Sequence, residues 1–178
     1  MNTIEDISAF FRRIPEKRWC LVQTRPRNEK CANQYLTGAG VMVYLPLITK
    51  VEIHHRSARK TLLPMFPGYL FACPSLDEET LIRRNKLVWG LRTLSDLEEE
   101  SLIRDLKLVR LCELQSAKHK LVVNSGLYEG ASVRIKSGMF KGQDAIVTRR
   151  VDELSVIINL LFFDRYIDMC WDAADLVY

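Results

Sequence analysis

The sequence has no long apolar run. Within its 178 residues no apolar stretch approaches the length of a membrane helix, which needs roughly 18 such residues. The N-terminus carries acidic residues before a short apolar stretch, a pattern unlike that of a signal peptide. We therefore expect a cytoplasmic protein that has no membrane partner.

Cysteine and histidine are scarce and scattered. The five cysteines are odd in number and include no C-x-x-C pair, which argues against a disulfide framework or a zinc site. We interpret them as reduced core thiols. His54 and His55 are adjacent, so on a strand they would face opposite sides. We expect no metal, no cofactor and no catalytic residue, and a thiol enzyme built on Cys20 or Cys31 stays open as an alternative.

Positive charge is concentrated near the start of the chain. Residues 12–60 hold 11 basic and 3 acidic residues, whereas residues 127–178 hold 6 basic and 8 acidic ones. A basic segment of this kind suits a phosphate backbone. A solvated basic face without a partner explains the charge equally well.

The N-terminal part alternates strand-like and helix-like segments. We expect a strand at 19–24, a helix from Asn28, strands at 41–47 and 48–55, a basic loop at 54–60 and strands at 63–72 and 87–94. Two capping-box spacings predict further helix starts at Ser75 and Ser95. The helix after Ser95 carries one apolar stripe, formed by Leu102, Ile103, Leu106, Val109 and Cys112.

Helical periodicity ends after residue 113. Segment 114–126 has no clear period and is the predicted linker, although residues 121–123 suit a short strand. Short β-like runs then fill residues 127–178, and a unit this small would close into a barrel to leave no open edge. Gly138 and Gly142 suit a tight turn at positive φ, and Phe140 would cap the end of the barrel.

Aromatic residues are concentrated at residues 65–71, M-F-P-G-Y-L-F. Alternation along a strand places Tyr69 and Phe71 on one face. Together with Phe66 they are either part of the core or an apolar patch for a partner. The residues alone do not decide between these two alternatives.

Several of these segments resemble the NusG family. W-x-L-V at 19–22, V-Y-L-P at 43–46 and F-P-G-Y at 66–69, with a helix and a basic hairpin between them, are similar to its N-terminal (NGN) domain. G-x-x-V-R-I-x-x-G-M-F-x-G at 130–142 resembles a KOW domain. The two motifs together cover about residues 17–178.

The resemblance implies an α+β fold. An NGN domain with a mainly antiparallel sheet flanked by helices would occupy residues 1–113, of which 1–17 form an N-terminal extension, and a β-barrel KOW domain would occupy 127–178. It also implies a transcription elongation or antitermination factor that binds the clamp helices of the largest RNA polymerase subunit. Phe66, Tyr69 and Phe71 match the apolar pocket used for that contact. A bridging factor would keep the clamp closed and reduce pausing or termination without chemistry of its own.

Two departures from the housekeeping pattern resemble the specialised RfaH or UpxY type, whose members act on particular operons. Asp164-Arg165 stands in place of Gly-Arg, and Ala145 stands in place of a frequent glycine. Gln23 differs from that type, in which the first strand has an aromatic residue of the pocket at this position. Such members read the displaced non-template DNA strand near the first helix. Arg25, Arg27 and Lys30 occupy that region and suit a single strand, and a solvated basic helix is the alternative.

The KOW resemblance leaves the partner of the C-terminal part open. The ribosome and a termination factor are the candidates that it implies. A ribosome-associated KOW protein that binds RNA is the rival function.

Overall fold

The computed structural model describes residues 3–54, 57–136, 139–150 and 153–171. Within them the helices are α1 (Thr3–Phe10), α2 (Glu29–Gly38), α3 (Leu76–Arg84) and α4 (Asp96–Gln115). The strands are β1 (Cys20–Thr24), β2 (Val43–Tyr44), β3 (Leu47–His54), β4 (Ser57–Pro64), β5 (Tyr69–Ala72), β6 (Val88–Arg92), β7 (Lys120–Ser125), β8 (Val133–Arg134), β9 (Asp144–Arg150), β10 (Glu153–Leu160) and β11 (Arg165–Trp171). The chain divides into two compact units, residues 11–103 and residues 1–10 with 104–178.

The unit of residues 11–103 is built on a four-stranded sheet with the order β2-β5-β1-β6. Neighbouring strands are antiparallel. Alternate residues of β1 are buried, as expected for a strand with one covered face. The hydrophobic core on that face joins the sheet to α2 and α3, and it includes Cys20, Val22, Ala32, Leu36, Leu70, Ala72 and Ile82.

Both predicted capping boxes are present. The Ser75 backbone N–H donates to Glu78 at 2.8 Å, and the Glu78 N–H donates to the Ser75 hydroxyl at 3.4 Å. Ser95 and Glu98 repeat this exchange at 2.9 and 3.4 Å. Because each side chain satisfies a backbone donor left free at a helix start, the two helix starts predicted from spacing are confirmed.

The hairpin β3–β4 differs from the prediction. Its ladder runs from Leu47 opposite Pro64 to His54 opposite Ser57, so residues 57–60 form part of a strand where a loop was expected. Backbone pairing needs no apolar side chain, and the basic composition of this segment therefore misled the prediction. His55 and Arg56 lie outside the described residues.

Two other predicted strands are shorter in the structure. The strand expected at 41–47 is reduced to β2, and the one expected at 63–72 is interrupted between β4 and β5. Pro67 has no N–H to donate and Gly68 has φ +84°, so the chain turns here instead of remaining extended.

The second unit contains a five-stranded antiparallel sheet with the order β7-β11-β10-β9-β8. Its buried residues include Val156, Ile158, Leu160, Ile167 and Met169. In the described residues β7 and β8 are the edge strands, so closure into a barrel stays a prediction. The fold is α+β with antiparallel sheets and a separate β-rich C-terminal sheet, as predicted.

The segment predicted as a linker, 114–126, contains the end of α4 and strand β7. β7 pairs with β11 from Lys120 opposite Cys170 to Ser125 opposite Arg165, which confirms the strand fragment at 121–123. All five residues of the predicted apolar stripe on α4 are buried. Where the chain divides into independently folding domains stays a prediction.

The described residues contain no helix that is both long and apolar enough to cross a membrane. In the same residues, no three or more His, Cys, Asp or Glu side chains are grouped so that they could hold a metal ion.

Candidate functional site

The segment before β5 forms a tight turn. The Tyr69 N–H donates to the Phe66 carbonyl at 3.1 Å, and Gly68 has φ +84°. Proline at the second position and a residue with positive φ at the third are the requirements of a type II turn. The F-P-G-Y motif therefore has a local structural reason, which is to reverse the chain so that it enters the sheet at Tyr69.

Two longer-range hydrogen bonds fix this turn in place. The Gly68 N–H donates to the carboxylate of Glu29 at 2.7 Å, and the Thr24 N–H donates to the Gly68 carbonyl at 2.9 Å. Glu29 is buried in the first turn of α2. The turn is thus tied to both α2 and β1, so the start of β5 has a defined position.

The three aromatic residues of this segment differ in burial. Phe66 is 5% exposed and Phe71 is fully buried, whereas Tyr69 is half-exposed. The Phe71 ring lies 6.0 Å from that of Phe66 and 6.4 Å from that of Tyr44, measured between ring centroids. Phe11 adds a ring 4.8 Å from Tyr44. Phe66 and Phe71 are therefore placed as the core alternative requires, and Tyr69 as the patch alternative requires.

Tyr69 belongs to a part of the sheet that α2 and α3 do not cover. Gln23 on β1 lies opposite Tyr69 on one side and opposite Gly90 of β6 on the other. A Cβ at Gly90 would collide with the Gln23 side-chain amide, which therefore lies across β6. Leu21, Gln23 and Tyr69 are half-exposed, and we call these three residues the open face.

The residues predicted to bind DNA are exposed but are held by different neighbours. The Arg25 guanidinium donates through Nε to the Lys86 carbonyl at 2.9 Å, and the Lys30 ammonium donates to the Leu62 carbonyl at 2.6 Å. Arg27 is exposed with φ +63°. The structure thus ties Arg25 to the segment before β6 and ties Lys30 to β4.

The predicted C-terminal turn is described in part. Gly142 has φ +83°, and its N–H donates to the Ile135 carbonyl at 2.8 Å. Phe140 is buried, and its carbonyl accepts from Gln143 at 2.9 Å. The positive φ predicted for Gly142 is confirmed, and Gly138 lies outside the described residues.

Three of the five cysteines are buried, as predicted, whereas Cys31 is exposed and Cys170 is half-buried. Burial raises the pKa of the Cys20 thiol far above its ordinary value and that of Cys73 to about 12. A thiol held protonated at neutral pH is a poor nucleophile. The environment of Cys20 therefore argues against the thiol-enzyme alternative at that residue.

Two residues with a defined place in the structure, Glu29 and Trp89, were not identified from the sequence. Glu29 reads as an ordinary first-turn acid of a helix, since only the fold brings Gly68 to it. Trp89 on β6 reads as a core residue of a strand, yet its side chain is 72% exposed. The sequence signal available for β6, an edge strand, was the absence of any acidic residue between positions 80 and 95.

Comparison with known proteins gives a family match over the N-terminal part of the chain. The profile of the family described as "Transcription termination factor nusG" matches residues 17–108, just over half of the chain. A search of curated proteins finds no match.

Two solved structures are similar to the chain at low identity. One, titled "Domain interaction in Thermotoga maritima NusG", has 21% identity and a TM-score of 0.45, and the match covers 85% of this chain and 92% of that one. The other, an MjSpt4:Spt5 complex, has 18% identity and a TM-score of 0.29, over 78% of this chain and 83% of that one. At these scores the family assignment depends on the profile match.

The antiparallel α+β unit together with the matched profile defines a transcription factor. The chain belongs to the NusG family. Members of this family are transcription factors without enzymatic activity.

Proposed function

We propose that this chain is an elongation or antitermination factor that binds the clamp helices of RNA polymerase through the unit of residues 11–103, which is called the N-terminal unit below. It would reduce pausing or termination, and the departures of RfaH or UpxY type support action on particular operons. The observation that carries the proposal is the open face, where a half-exposed Tyr69 lies beside a buried aromatic cluster.

Tyr69 is suited to anchor a helical partner. Its backbone is fixed by the turn at Phe66 and by pairing with Gln23, so little conformational entropy is lost when a partner docks. A ring with a polar hydroxyl is common among the residues that dominate protein interfaces. In this proposal Phe66 and Phe71 support Tyr69 from within the core, because their buried rings hold β5 in position.

The second contact in the proposal is with the non-template DNA strand. Arg25, Arg27 and Lys30 are exposed, and exposed cations supply the sequence-independent attraction to phosphates. The C-terminal sheet, with its turn at Phe140 and Gly142, would act as the KOW domain and contact the ribosome or a termination factor.

The proposal is tested with full-length Tyr69→Ala in co-purification with core polymerase and in a pausing assay. Loss of a central aromatic anchor typically costs about 2 kcal/mol or more, so we expect roughly thirtyfold weaker polymerase binding and loss of the effect on pausing. Tyr69→Phe should retain most of the binding, because it keeps the ring.

The matched control is Tyr35→Ala, since Tyr35 is an exposed tyrosine on α2. We expect it to bind polymerase like the wild type. Wild-type affinity for Tyr69→Ala, or a loss explained entirely by unfolding, would show that Tyr69 is not the anchor. Failure of the wild-type chain to bind polymerase would refute the proposed function itself.

A further inference from the structure

The edge strand β6 contains an irregularity at Trp89. Gln23 lies opposite Gly90, but Thr24 lies opposite Val88, so the register shifts and Trp89 has no residue opposite it. A bulge of this kind places one extra residue in a strand and changes the direction of its side chain. Here the extra residue is a tryptophan on an edge strand, and it is 72% exposed.

Exposure of one apolar side chain has no functional meaning by itself. Tryptophan offers the largest apolar surface of any residue, however, and Trp19 in the same unit is fully buried. What distinguishes Trp89 is therefore the combination of its exposure with the charges beside it.

Cations gather along the same edge. The Arg25 N–H donates to the Leu87 carbonyl at 2.9 Å and its guanidinium to the Lys86 carbonyl at 2.9 Å, so Arg25 lies against the segment that leads into β6. Arg84 and Lys86 are exposed in that segment. Residues 80–95 contain four basic residues and no acidic one, but Arg83 pairs with Glu79 and Arg92 with Glu98, so Arg25, Arg84 and Lys86 are the cations that the proposal uses.

The segment that carries these cations is fixed. Asn85 ends α3, and its side-chain oxygen accepts from the Leu87 N–H at 2.8 Å. The Val88 N–H donates to the Asn85 carbonyl at 3.0 Å. The position of Trp89 relative to Arg25 and Lys86 is therefore set by the backbone before any ligand binds.

An exposed aromatic ring on the same strand edge as exposed cations is an arrangement that suits single-stranded nucleic acid. The cations attract the phosphates, and an unpaired base stacks on the ring whatever its identity. Duplex DNA offers the same phosphates but keeps its bases stacked within the helix. The edge of β6 therefore suits a strand whose bases are unpaired.

We propose that Trp89 stacks on an unpaired base of the displaced non-template DNA strand, next to phosphates held by Arg25 and Lys86. This inference rests on the proposed function, in which that strand passes the N-terminal unit. It adds a base-stacking position on β6 to the basic residues near α2. Because stacking tolerates any base, the contact would strengthen binding without selecting a sequence.

The test measures the affinity of the full-length chain for transcription elongation complexes made with core polymerase. Matched complexes carry either thymidines or abasic residues in the unpaired part of the non-template strand. Stacking on one base is worth about tenfold in affinity, so the wild type should prefer thymidines by about that factor. Trp89→Ala should abolish the preference, and Trp89→Phe should retain part of it.

Further variants separate stacking from charge. The double variant Arg25→Ala, Arg27→Ala should reduce the magnitude of the slope of log affinity against log salt concentration by roughly 0.7 for each lost phosphate contact. Trp89→Ala should leave that slope unchanged. Leu97→Ala, which removes another exposed apolar side chain, should behave like the wild type.

The outcomes that overturn the inference differ from those that overturn the proposed function. The inference is wrong if the wild type shows no preference for thymidines, or if Trp89→Ala weakens binding equally in both complexes. It is also wrong if the loss persists in complexes without a non-template strand, since the contact is then with RNA or protein. If the wild type binds none of the complexes, the proposed function fails as well.

Discussion

Tyr69 and Phe71 are two residues apart on β5 and lie on the same side of the strand, yet their surroundings differ. Phe71 is fully buried between the rings of Phe66 and Tyr44, whereas Tyr69 is half-exposed. Truncation of a buried ring leaves a cavity, and truncation of a half-exposed ring mainly removes surface. The two residues should therefore respond differently to the same substitution.

We expect Phe71→Ala to destabilise the N-terminal unit by about 3–5 kcal/mol, the usual cost of removing a buried aromatic ring. The measurement is denaturant unfolding followed by tryptophan fluorescence, since Trp19 is buried in the same unit. Phe71→Leu should cost clearly less because it fills more of the cavity. Unchanged unfolding of Phe71→Ala, together with lost polymerase binding, would instead make Phe71 a direct contact.

At the level of elements, the sequence predicted best what depends on neighbouring residues. The two capping boxes and the apolar stripe of α4 each lie within a few turns of one helix, and all three are confirmed. The strand β7 and the bulge at Trp89 depend on pairing with strands that are distant in the sequence, and the hairpin β3–β4 depends on backbone pairing between its own two strands. Their own residues carry little signal, because backbone hydrogen bonds form the pairing.

The candidate site shows the same division. The positive φ of Gly68 suits its Pro-Gly motif, although a continuous strand was expected here, and the hydrogen bond from Gly68 to Glu29 joins residues 39 positions apart. Similarly, Arg25 was identified from local charge, while its contact with Lys86 spans 61 positions. Local motifs could therefore indicate the residues, and only the fold shows which of them act together.

Asp105 on α4 is a buried acid in the second unit. Its carboxylate accepts from the Phe162 N–H at 2.8 Å, in the turn between β10 and β11. Burial raises the pKa of Asp105 to about 6, although backbone N–H groups of residues 161–163 and the charge of Arg104 act in the opposite direction. The ionised carboxylate is thus held at a cost in free energy.

This cost predicts how stability changes with pH. A carboxyl whose pKa is higher in the folded chain binds more protons when folded, so protonation favours the folded state. The difference between about 6 when folded and about 4 when unfolded corresponds to up to about 3 kcal/mol. The contribution is fully present below about pH 4 and is lost as the pH rises through about 6.

We therefore expect wild-type stability to increase relative to Asp105→Asn as the pH falls from about 7 to about 4. Asparagine keeps an oxygen that can accept from the Phe162 N–H, and it cannot titrate. The Asp105→Asn variant is therefore the reference for the wild type at each pH. Urea unfolding of both chains across this range measures the difference. A difference that does not change with pH would show that Asp105 has an ordinary pKa in the folded chain.

For the whole molecule, the question is which residues the C-terminal sheet needs in order to fold. The predicted KOW domain starts at residue 127, after the strand β7, which pairs with β11 over six residues. Within β7, Leu121 and Val123 are half-buried. Without β7 these contacts are lost and β11 becomes an edge strand whose backbone groups can pair with another chain.

We expect a fragment of residues 117–178 to be more stable than one of residues 127–178, by about 2 kcal/mol or more for the partly buried side chains of β7. The shorter fragment should also associate through the exposed edge of β11. Urea unfolding gives the stability difference, and size-exclusion chromatography at several concentrations reports association. The longer fragment with prolines in place of the pairing residues of β7 should behave like the shorter fragment, because proline cannot donate to the ladder. Equal stability and a monomeric state for both fragments would support a domain boundary at residue 127 and leave β7 as part of the linker.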